Sequence, residues 1–340
     1  MRLSFLFLLP LPLLPLFACS TADPTGSSMS PILGGTNDDA HPQVVAIFRD
    51  AQGASSAEFC SGSLIGPNLV LTAAHCGADV VSSGTGTACV DTAARKADVS
   101  GPPADPKRFT VVNTGDAYDT SATQHAVTQV FLAPKAGLSP MCGNDVALLV
   151  LADTVQGATP YVPRLDTPPT VGESFTAIGY GYDGASGDGI RRMRDGLTIS
   201  AVGPVGTRAT ENDWVANQGP CGGDSGSPAI DGSGKLVGVM SRGSPTVCKD
   251  MIYTRVDPFA DWLRSHAIDA AKVGGYPTPS WAAPASADAG ADASTPPASD
   301  PKSGCNASGG RMELGWVMGL LVTLFAMRRQ RRITASTTTE

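Results

Sequence analysis

Short apolar runs alternate with turn-forming residues through the middle of the chain, between about residues 32 and 256. Gly, Pro, Asn or Asp separates most of these runs. Runs of this kind, bounded by residues that favour turns, are typical of short β-strands. The runs are residues 44–48, 63–65, 69–72, 109–112, 127–132, 146–151, 174–178, 236–240 and 252–256. The pattern predicts an all-β barrel or sandwich.

One segment after the last of these runs has a helical pattern instead. Asp257 and Pro258 predict its start, because a capping Asp followed by a first-turn proline commonly begins a helix. Apolar residues then recur at near-helical spacing to about Ala271, namely Phe259, Trp262, Leu263 and Ile268. The pattern therefore predicts one C-terminal helix behind the strands.

The N-terminus has the pattern of an export signal. Arg2 precedes an apolar stretch, residues 3–17, that is short and proline-rich for a membrane span. Residues 1–19 are therefore predicted to be a secretory signal peptide. The sequence around Cys19 resembles a bacterial lipoprotein signal, so lipidation of Cys19 and ordinary cleavage nearby are both open. Residues 20–31 then form a propeptide or linker.

The C-terminus combines a polar linker with an apolar segment. Residues 274–303 are dominated by Ala, Pro, Ser, Gly and Asp, which indicates an extended linker. Residues 304–340 hold Cys305, the uncharged stretch 314–327 and a cluster of arginines after it. As a helix that stretch spans about 21 Å, short of the ~30 Å hydrocarbon core. The tail resembles the C-terminal sorting tails of bacterial surface proteins, especially the myxobacterial type; a plain transmembrane anchor is the alternative.

Both ends thus predict an exported protein, held at the cell surface or outer membrane or released outside the cell. The cysteines agree with export. Two of the eight, Cys19 and Cys305, lie in the terminal segments, and the other six form an even set that indicates disulfide bonds. Spacing alone leaves their pairing open. Close Cys-x-x-Cys pairs with His are absent from the sequence, so no metal and no cofactor is predicted.

Composition narrows the classes of function. The chain has 24 basic and 31 acidic side chains, for a net charge of −7. That balance disfavours a nucleic-acid-binding protein, which usually carries a basic surface. The 39 glycines and 27 prolines disfavour a helical bundle or coiled coil. A hydrophobic share of 42% is enough for a sizeable core.

Three short motifs carry the candidate chemistry. They are Leu71-Thr72-Ala73-Ala74-His75-Cys76, Asn144-Asp145-Val146-Ala147-Leu148-Leu149 and Cys221-Gly222-Gly223-Asp224-Ser225-Gly226-Ser227-Pro228. A serine hydroxyl is a poor nucleophile at neutral pH and needs a base in hydrogen-bond contact. The imidazole of His75 suits that role, and the carboxylate of Asp145 would fix its tautomer and stabilise its protonated form. Ser225 lies in a glycine-rich stretch, between Asp224 and Gly226, which suits an exposed tight turn.

The three motifs, in this order, resemble those of trypsin/chymotrypsin-like serine peptidases. The resemblance covers residues 32–273 and implies two six-stranded antiparallel β-barrels with a C-terminal helix. It implies a serine endopeptidase acting on protein or peptide substrates through His75, Asp145 and Ser225. The backbone N–H groups of Gly223 and Ser225 would form the oxyanion hole.

The same resemblance implies a disulfide framework. One bridge closes the loop that carries the histidine, a second lies beside the substrate pocket, and the two remaining cysteines form the third. The implied bridges are Cys60–Cys76, Cys221–Cys248 and Cys89–Cys142.

The resemblance also implies an activation step. In such peptidases cleavage frees an α-amino group, here that of Ile32, which pairs with the Asp before the nucleophile, here Asp224. Many members have Arg or Lys before the cleavage site, whereas this chain has Pro31. Either a different peptidase cuts here, or the segment stays uncut and the activation logic differs.

The substrate pocket departs from the trypsin pattern. By resemblance its lining residues are Gly219, Ser241, Gly243 and Met251. Gly219 stands where trypsin-like members carry an Asp that selects Lys or Arg, and Arg242 stands where an aromatic residue is common. A bulky Met251 would make the pocket shallow, so cleavage after small or medium apolar residues is expected. If Asp250 points inward, basic residues are preferred instead.

Two other functions compete with the peptidase. The first is a catalytically silent surface module that binds a partner on the same fold. The second, an esterase of the α/β-hydrolase type, is disfavoured because that fold needs strand–helix repeats and a Ser-first order of the triad. The sequence leaves the oligomeric state open.

Overall fold

The computed structural model describes residues 32, 34–50, 58–81, 99–134, 142–181, 189–244 and 248–283. All of them belong to one compact unit. The predicted signal peptide, residues 20–31, the C-terminal tail, Cys19, Cys89 and Cys305 lie outside the described residues. Among the residues that are described, no helix is both long and apolar enough to cross a bilayer.

Strands dominate the described chain, as the alternating pattern predicts. The strands are β1 (Thr36–Asn37), β2 (Val44–Arg49), β3 (Glu58–Gly66), β4 (Leu69–Thr72), β5 (Ala78–Val81), β6 (Val99–Pro103), β7 (Phe109–Val112), β8 (His125–Leu132), β9 (Ala147–Leu151), β10 (Val162–Pro163), β11 (Ser174–Gly179), β12 (Arg192–Val202), β13 (Asp213–Gln218), β14 (Pro228–Asp231), β15 (Lys235–Ser244) and β16 (Lys249–Arg255). The helices are α1 (Ala74–Gly77) and α2 (Ala260–Gly274), with 3-10 turns at Pro106–Arg108 and Asp257–Phe259.

The first barrel closes in the order β2-β3-β4-β9-β8-β7. Every residue of β4 and β9 is buried, as expected for apolar strands covered on both faces. These two strands are antiparallel neighbours, with Thr72 opposite Ala147. Because His75 follows β4 and Asp145 precedes β9, this pairing brings the first two motifs together at one end of the barrel.

The second barrel contains β11 to β16. Its order is β12-β11-β14-β15-β16-β13, and pairing of β12 with β13 closes it. Trp214 and Tyr253 stack inside it with ring centroids 4.1 Å apart, and Phe175 meets both edge-on. The prediction of two six-stranded antiparallel barrels with a C-terminal helix is confirmed.

The C-terminal helix differs from its prediction at both ends. Asp257 does not cap it, since its carboxylate pairs with Arg255, and α2 begins after the 3-10 turn. At the other end, Gly275 adopts φ +67 and stops the helix. The following residues pack back on the first barrel: the Tyr276 hydroxyl lies 2.7 Å from Oδ1 of Asn68, and Ala282 is buried in the core. The beginning of the predicted linker is therefore part of the packed body.

Arg191 connects the two barrels from the inside. It is 2% exposed, and its Nε donates to the carboxylate and carbonyl of Asp38 at 3.1 Å. Its Nη1 donates to the Asn113 carbonyl and the Tyr180 hydroxyl, at 3.1 and 3.0 Å. One guanidinium thus holds the segment after β1, the end of β7 and the end of β11.

We expect Arg191→Met to lower the free energy of unfolding by about 3–5 kcal/mol, because it strands the buried Asp38 carboxylate. Chemical denaturation under oxidising conditions measures the change. Arg264 provides a matched control, since it makes an exposed pair with Asp261 on α2. Arg264→Met should cost less than about 1 kcal/mol. An equally small loss for Arg191→Met would contradict the bridging role.

Candidate active site

His75 and Asp145 form a two-point contact. Nδ1 of His75 lies 2.8 Å from Oδ2 of Asp145, and the His75 backbone N–H donates to Oδ1 at 2.9 Å. Because an ionised carboxylate only accepts hydrogen bonds, this contact places the ring proton on Nδ1. Nε2 then has a free lone pair. The arrangement holds the imidazole in the tautomer that a general base requires.

The Asp145 carboxylate is fully buried and has a third donor. The Ser241 hydroxyl donates to Oδ2 at 2.6 Å. Burial alone would raise the pKa of Asp145, but the His75 charge and the hydrogen bonds from His75 and Ser241 hold that pKa below its usual value. Asp145 therefore stays ionised beside the imidazole. Ser241, which the sequence places in the pocket wall, supports this carboxylate directly.

The Ser225 loop (residues 221–227) is pressed against the first barrel. The Ser225 carbonyl accepts the N–H of Ser61, and the N–H of Gly226 donates to Met240 of β15, both at 2.8 Å. A Cβ on Gly226 would lie 2.0 Å from Oγ1 of Thr72. Only glycine permits this approach, which brings the loop beside the turn that carries His75.

The Cys60–Cys76 disulfide lies between His75 and Ser225. Sγ of Cys76 is 3.7 Å from the Ser225 carbonyl oxygen, and a ring nitrogen of His75 lies within 4.8 Å of both sulfurs. Two cysteines and a histidine at such distances resemble a metal site, but sulfurs bonded to each other do not act as thiolate ligands. The bridge instead fixes the loop of His75 beside the Ser225 loop.

The structure also contains the Cys221–Cys248 bridge at the base of the Ser225 loop. Cys142 is disulfide-bonded as well. Its predicted partner Cys89 lies outside the described residues, so that pairing stays a prediction.

The backbone of Gly223 is held by a residue that the sequence did not single out. The buried Ser61 hydroxyl donates to the Gly223 carbonyl at 3.1 Å and accepts the N–H of Tyr180 at 3.0 Å. This fixes the peptide between Gly223 and Asp224, which lies between the two N–H groups of the predicted oxyanion hole. The only sequence signal was a serine next to Cys60.

Asp224 and Ile32 lie together in the second barrel. Both are fully buried, and the carboxylate accepts N–H groups of Cys221 and Gly181 at 2.8 Å and that of Ile32. Burial outweighs these bonds and raises the pKa of Asp224 to about 6. With residue 31 still attached, the Ile32 nitrogen is an amide and offers this carboxylate no positive charge.

Of the predicted pocket residues, Ser241 and Gly243 lie on β15, Met251 lies on the neighbouring β16, and Gly219 directly follows β13. Met251 is 2% exposed, and its Sδ is 2.4 Å from where a Cβ on Gly243 would lie. Gly219 is buried, and a Cβ on it would lie 3.1 Å from the Leu197 side chain. The Asp250 carboxylate is exposed and lies 3.2 Å from Arg208. Met251 thus packs against Gly243, while the Asp250 carboxylate lies at the surface.

A buried ion pair behind Asp145 was not predicted. Arg242 Nη2 lies 2.9 Å from Oδ2 of Asp213, which is fully buried at the start of β13. In the sequence, Arg242 was notable only because an aromatic residue is common at its position in the family that the chain resembles. The available sequence signal was a charged residue shortly after the apolar run 236–240.

Comparison with known proteins places this site in a family. The trypsin family model matches residues 32–263. Brachyurin of Leptuca pugilator is 26% identical over 251 residues, which cover 69% of this chain and 97% of that protein. A trypsin of Phaedon cochleariae is 27% identical over 228 residues, 60% of this chain and 77% of that protein.

A structural comparison agrees on the fold. The solved structure of a scabies mite inactivated protease paralogue matches 68% of this chain and 99% of its own, with a TM-score of 0.51 and 18% identity. Two closed barrels, a family match over most of the chain and the order of the three motifs lead to one assignment. This chain belongs to the trypsin family.

Proposed function

We propose that the chain is an exported serine endopeptidase that hydrolyses peptide bonds through an acyl-enzyme. The hydrogen-bonded His75–Asp145 pair beside the Ser225 loop carries this proposal. A solvent-accessible histidine fixed by a buried carboxylate, next to a serine on a tight turn, is the arrangement that nucleophilic catalysis needs.

In the proposed mechanism, Nε2 of His75 takes the proton from the Ser225 hydroxyl as its oxygen attacks the scissile carbonyl. Asp145 stabilises the imidazolium that forms, and the proton then passes to the leaving amine. Water hydrolyses the acyl-enzyme by the same route. The N–H groups of Gly223 and Ser225 would bind the developing oxyanion, a contribution of about 3 kcal/mol for one donor.

The site of action is proposed to be outside the cytoplasm. The signal-peptide pattern of residues 1–19 and the disulfides of the folded body support export. Membrane association through residues 304–340, or through a lipidated Cys19, belongs to the same proposal.

A catalytically silent binding module is the second candidate. The structural likeness to an inactivated protease paralogue favours it, because that protein has the same fold and is described as inactivated. The two candidates differ in whether Ser225 is nucleophilic.

A fluorophosphonate probe should label the wild-type protein at Ser225, because only an activated serine displaces fluoride rapidly. Ser225→Ala should abolish labelling, and His75→Ala should slow it by about a thousandfold or more. Ser233→Ala is the control: this exposed turn serine should not matter. Mass spectrometry identifies the modified residue. An unlabelled wild type would favour the binding module.

Activation is proposed to depend on Asp224 and Ile32. Cutting before Ile32 would convert its amide into an α-ammonium group beside a buried carboxylate whose donors, among the described residues, are backbone N–H groups. The pKa of Asp224, raised to about 6 in the uncut chain, would then fall.

This predicts a distinctive pH dependence for the uncut protein. Between about pH 4 and 6 the folded state holds a proton on Asp224 that the unfolded state has released. The stabilisation that this bound proton gives the folded state is fully present below about pH 4 and is lost as the pH rises through 6. Urea denaturation of uncut Ser225→Ala should therefore lose ~3 kcal/mol from pH 4 to 7 relative to the same protein with Asp224→Asn. Parallel stability curves would contradict the proposal.

The proposed specificity is for small or medium apolar residues before the scissile bond. The Met251 side chain lies against Gly243, no carboxylate stands at Gly219, and Asp250 is engaged with Arg208 at the surface. These three observations favour a shallow, uncharged pocket.

Met251→Gly should widen this pocket. We expect kcat/KM for peptides with Leu or Phe before the scissile bond to rise about tenfold relative to Ala peptides. Met251→Leu keeps the bulk and should keep the wild-type preference. A peptide panel differing at that one residue makes the measurement. Strong wild-type preference for Arg or Lys would refute the apolar pocket.

A further inference from the structure

The Asp213 carboxylate accepts hydrogen bonds from five donor groups. It is fully buried, and Oδ1 accepts the N–H of Gly143 at 3.1 Å and the Thr254 hydroxyl at 3.3 Å. Oδ2 accepts the N–H and hydroxyl of Thr210, at 2.9 and 3.2 Å, and Nη2 of Arg242 at 2.9 Å. Gly143 belongs to the segment that carries Asp145, so Asp213 holds that segment through its backbone.

Arg242 is also connected to Asp145, in this case through the side chain of Ser241. Its Nη1 donates to the Ser241 hydroxyl at 2.9 Å, and Ser241 donates in turn to Asp145. Its Nη2 also donates to the Arg208 carbonyl at 2.6 Å. The side chain is only 9% exposed. Its donors are therefore used inside the protein rather than offered to a substrate carboxylate.

We propose that Asp213 and Arg242 are positioning residues for the His75–Asp145 pair. Asp213 holds Asp145 through Gly143, and Arg242 holds it through Ser241. The catalytic meaning of this arrangement rests on the proposed peptidase function, but the electrostatic coupling to His75 does not.

The ion pair also balances charge behind the imidazole. Asp145 faces His75 directly from the segment before β9, and Arg242 and Asp213 stand behind it on β15 and β13. Arg208 and Asp250 pair with each other at the surface, and Asp224 lies under the Ser225 loop. Arg242 is linked to Asp145 through a single hydroxyl, that of Ser241. Removing either partner leaves the other as an uncompensated buried charge.

The sign of the effect on His75 follows from these charges. Arg242→Met removes a positive charge, so protonated His75 becomes more stable and its titration midpoint should rise by about 0.5 pH units or more. Asp213→Asn removes a negative charge, so the midpoint should fall. The double variant restores neutrality and should return close to the wild type.

The test measures the full-length protein in two ways. NMR titration of the His75 ring in the Ser225→Ala background reports the midpoint without requiring activity. The pH profile of kcat/KM, in protein with Ser225 intact, should show its acidic limb moving with that midpoint. Arg242→Lys keeps the charge but not the planar fork, so it should keep the midpoint near wild type while lowering kcat.

Arg164→Met is the control, because Arg164 makes a comparable pair with Asp231 at the far end of β14 from the Ser225 loop. It should leave the midpoint unchanged. Opposite shifts in the two single variants, cancelled in the double variant, support the proposal. Shifts in the same direction, or none beyond the control, overturn it, and circular dichroism verifies that each variant is folded. Opposite NMR shifts in a protein that no fluorophosphonate labels would overturn only the peptidase function.

Discussion

Carboxylates that water cannot reach impose the main constraint on this molecule. Asp145, Asp213 and Asp224 are all fully buried where the Ser225 loop and the Asp145 segment meet the second barrel. An ionised carboxylate in such a place is stable only if several donors surround it. Those donors come from segments far apart in sequence. Satisfying three charges therefore fixes the relative positions of the strands and loops that carry the candidate chemistry.

The three carboxylates solve this problem in different ways. Asp145 accepts two hydrogen bonds from His75 and one from Ser241, and its pKa is held low. Asp213 has a guanidinium. Within the described part of the chain, Asp224 has only backbone amides as donors, and its pKa is raised. In the uncut chain, burial outweighs the hydrogen bonds that Asp224 accepts. A new ammonium group at Ile32 would therefore stabilise the ionised form of this carboxylate.

The fold alone does not decide activity. An inactivated protease paralogue shares it, whereas the identities of a few side chains determine whether a serine is activated. In this chain the His75–Asp145 contact and the supported Gly223 backbone are the relevant features. The proposed pocket is a separate variable, since the contact of Met251 with Gly243 lies outside the hydrogen bonds that hold His75, Asp145 and the Gly223 backbone.

Local features of the sequence were sufficient for much of this structure. Strand-length apolar runs bounded by turn residues predict an all-β barrel or sandwich, because period and turn chemistry act over a few residues; the two barrels were implied by the family resemblance. The His75, Asp145 and Ser225 motifs were likewise recognisable from their immediate neighbours. The Arg242–Asp213 pair, the outward Asp250, the contact of Met251 with Gly243 and the packing of residues 276–283 were not. Each of these depends on which side chain faces which across strands or loops that are distant in sequence, and only the closed barrels determine that pairing.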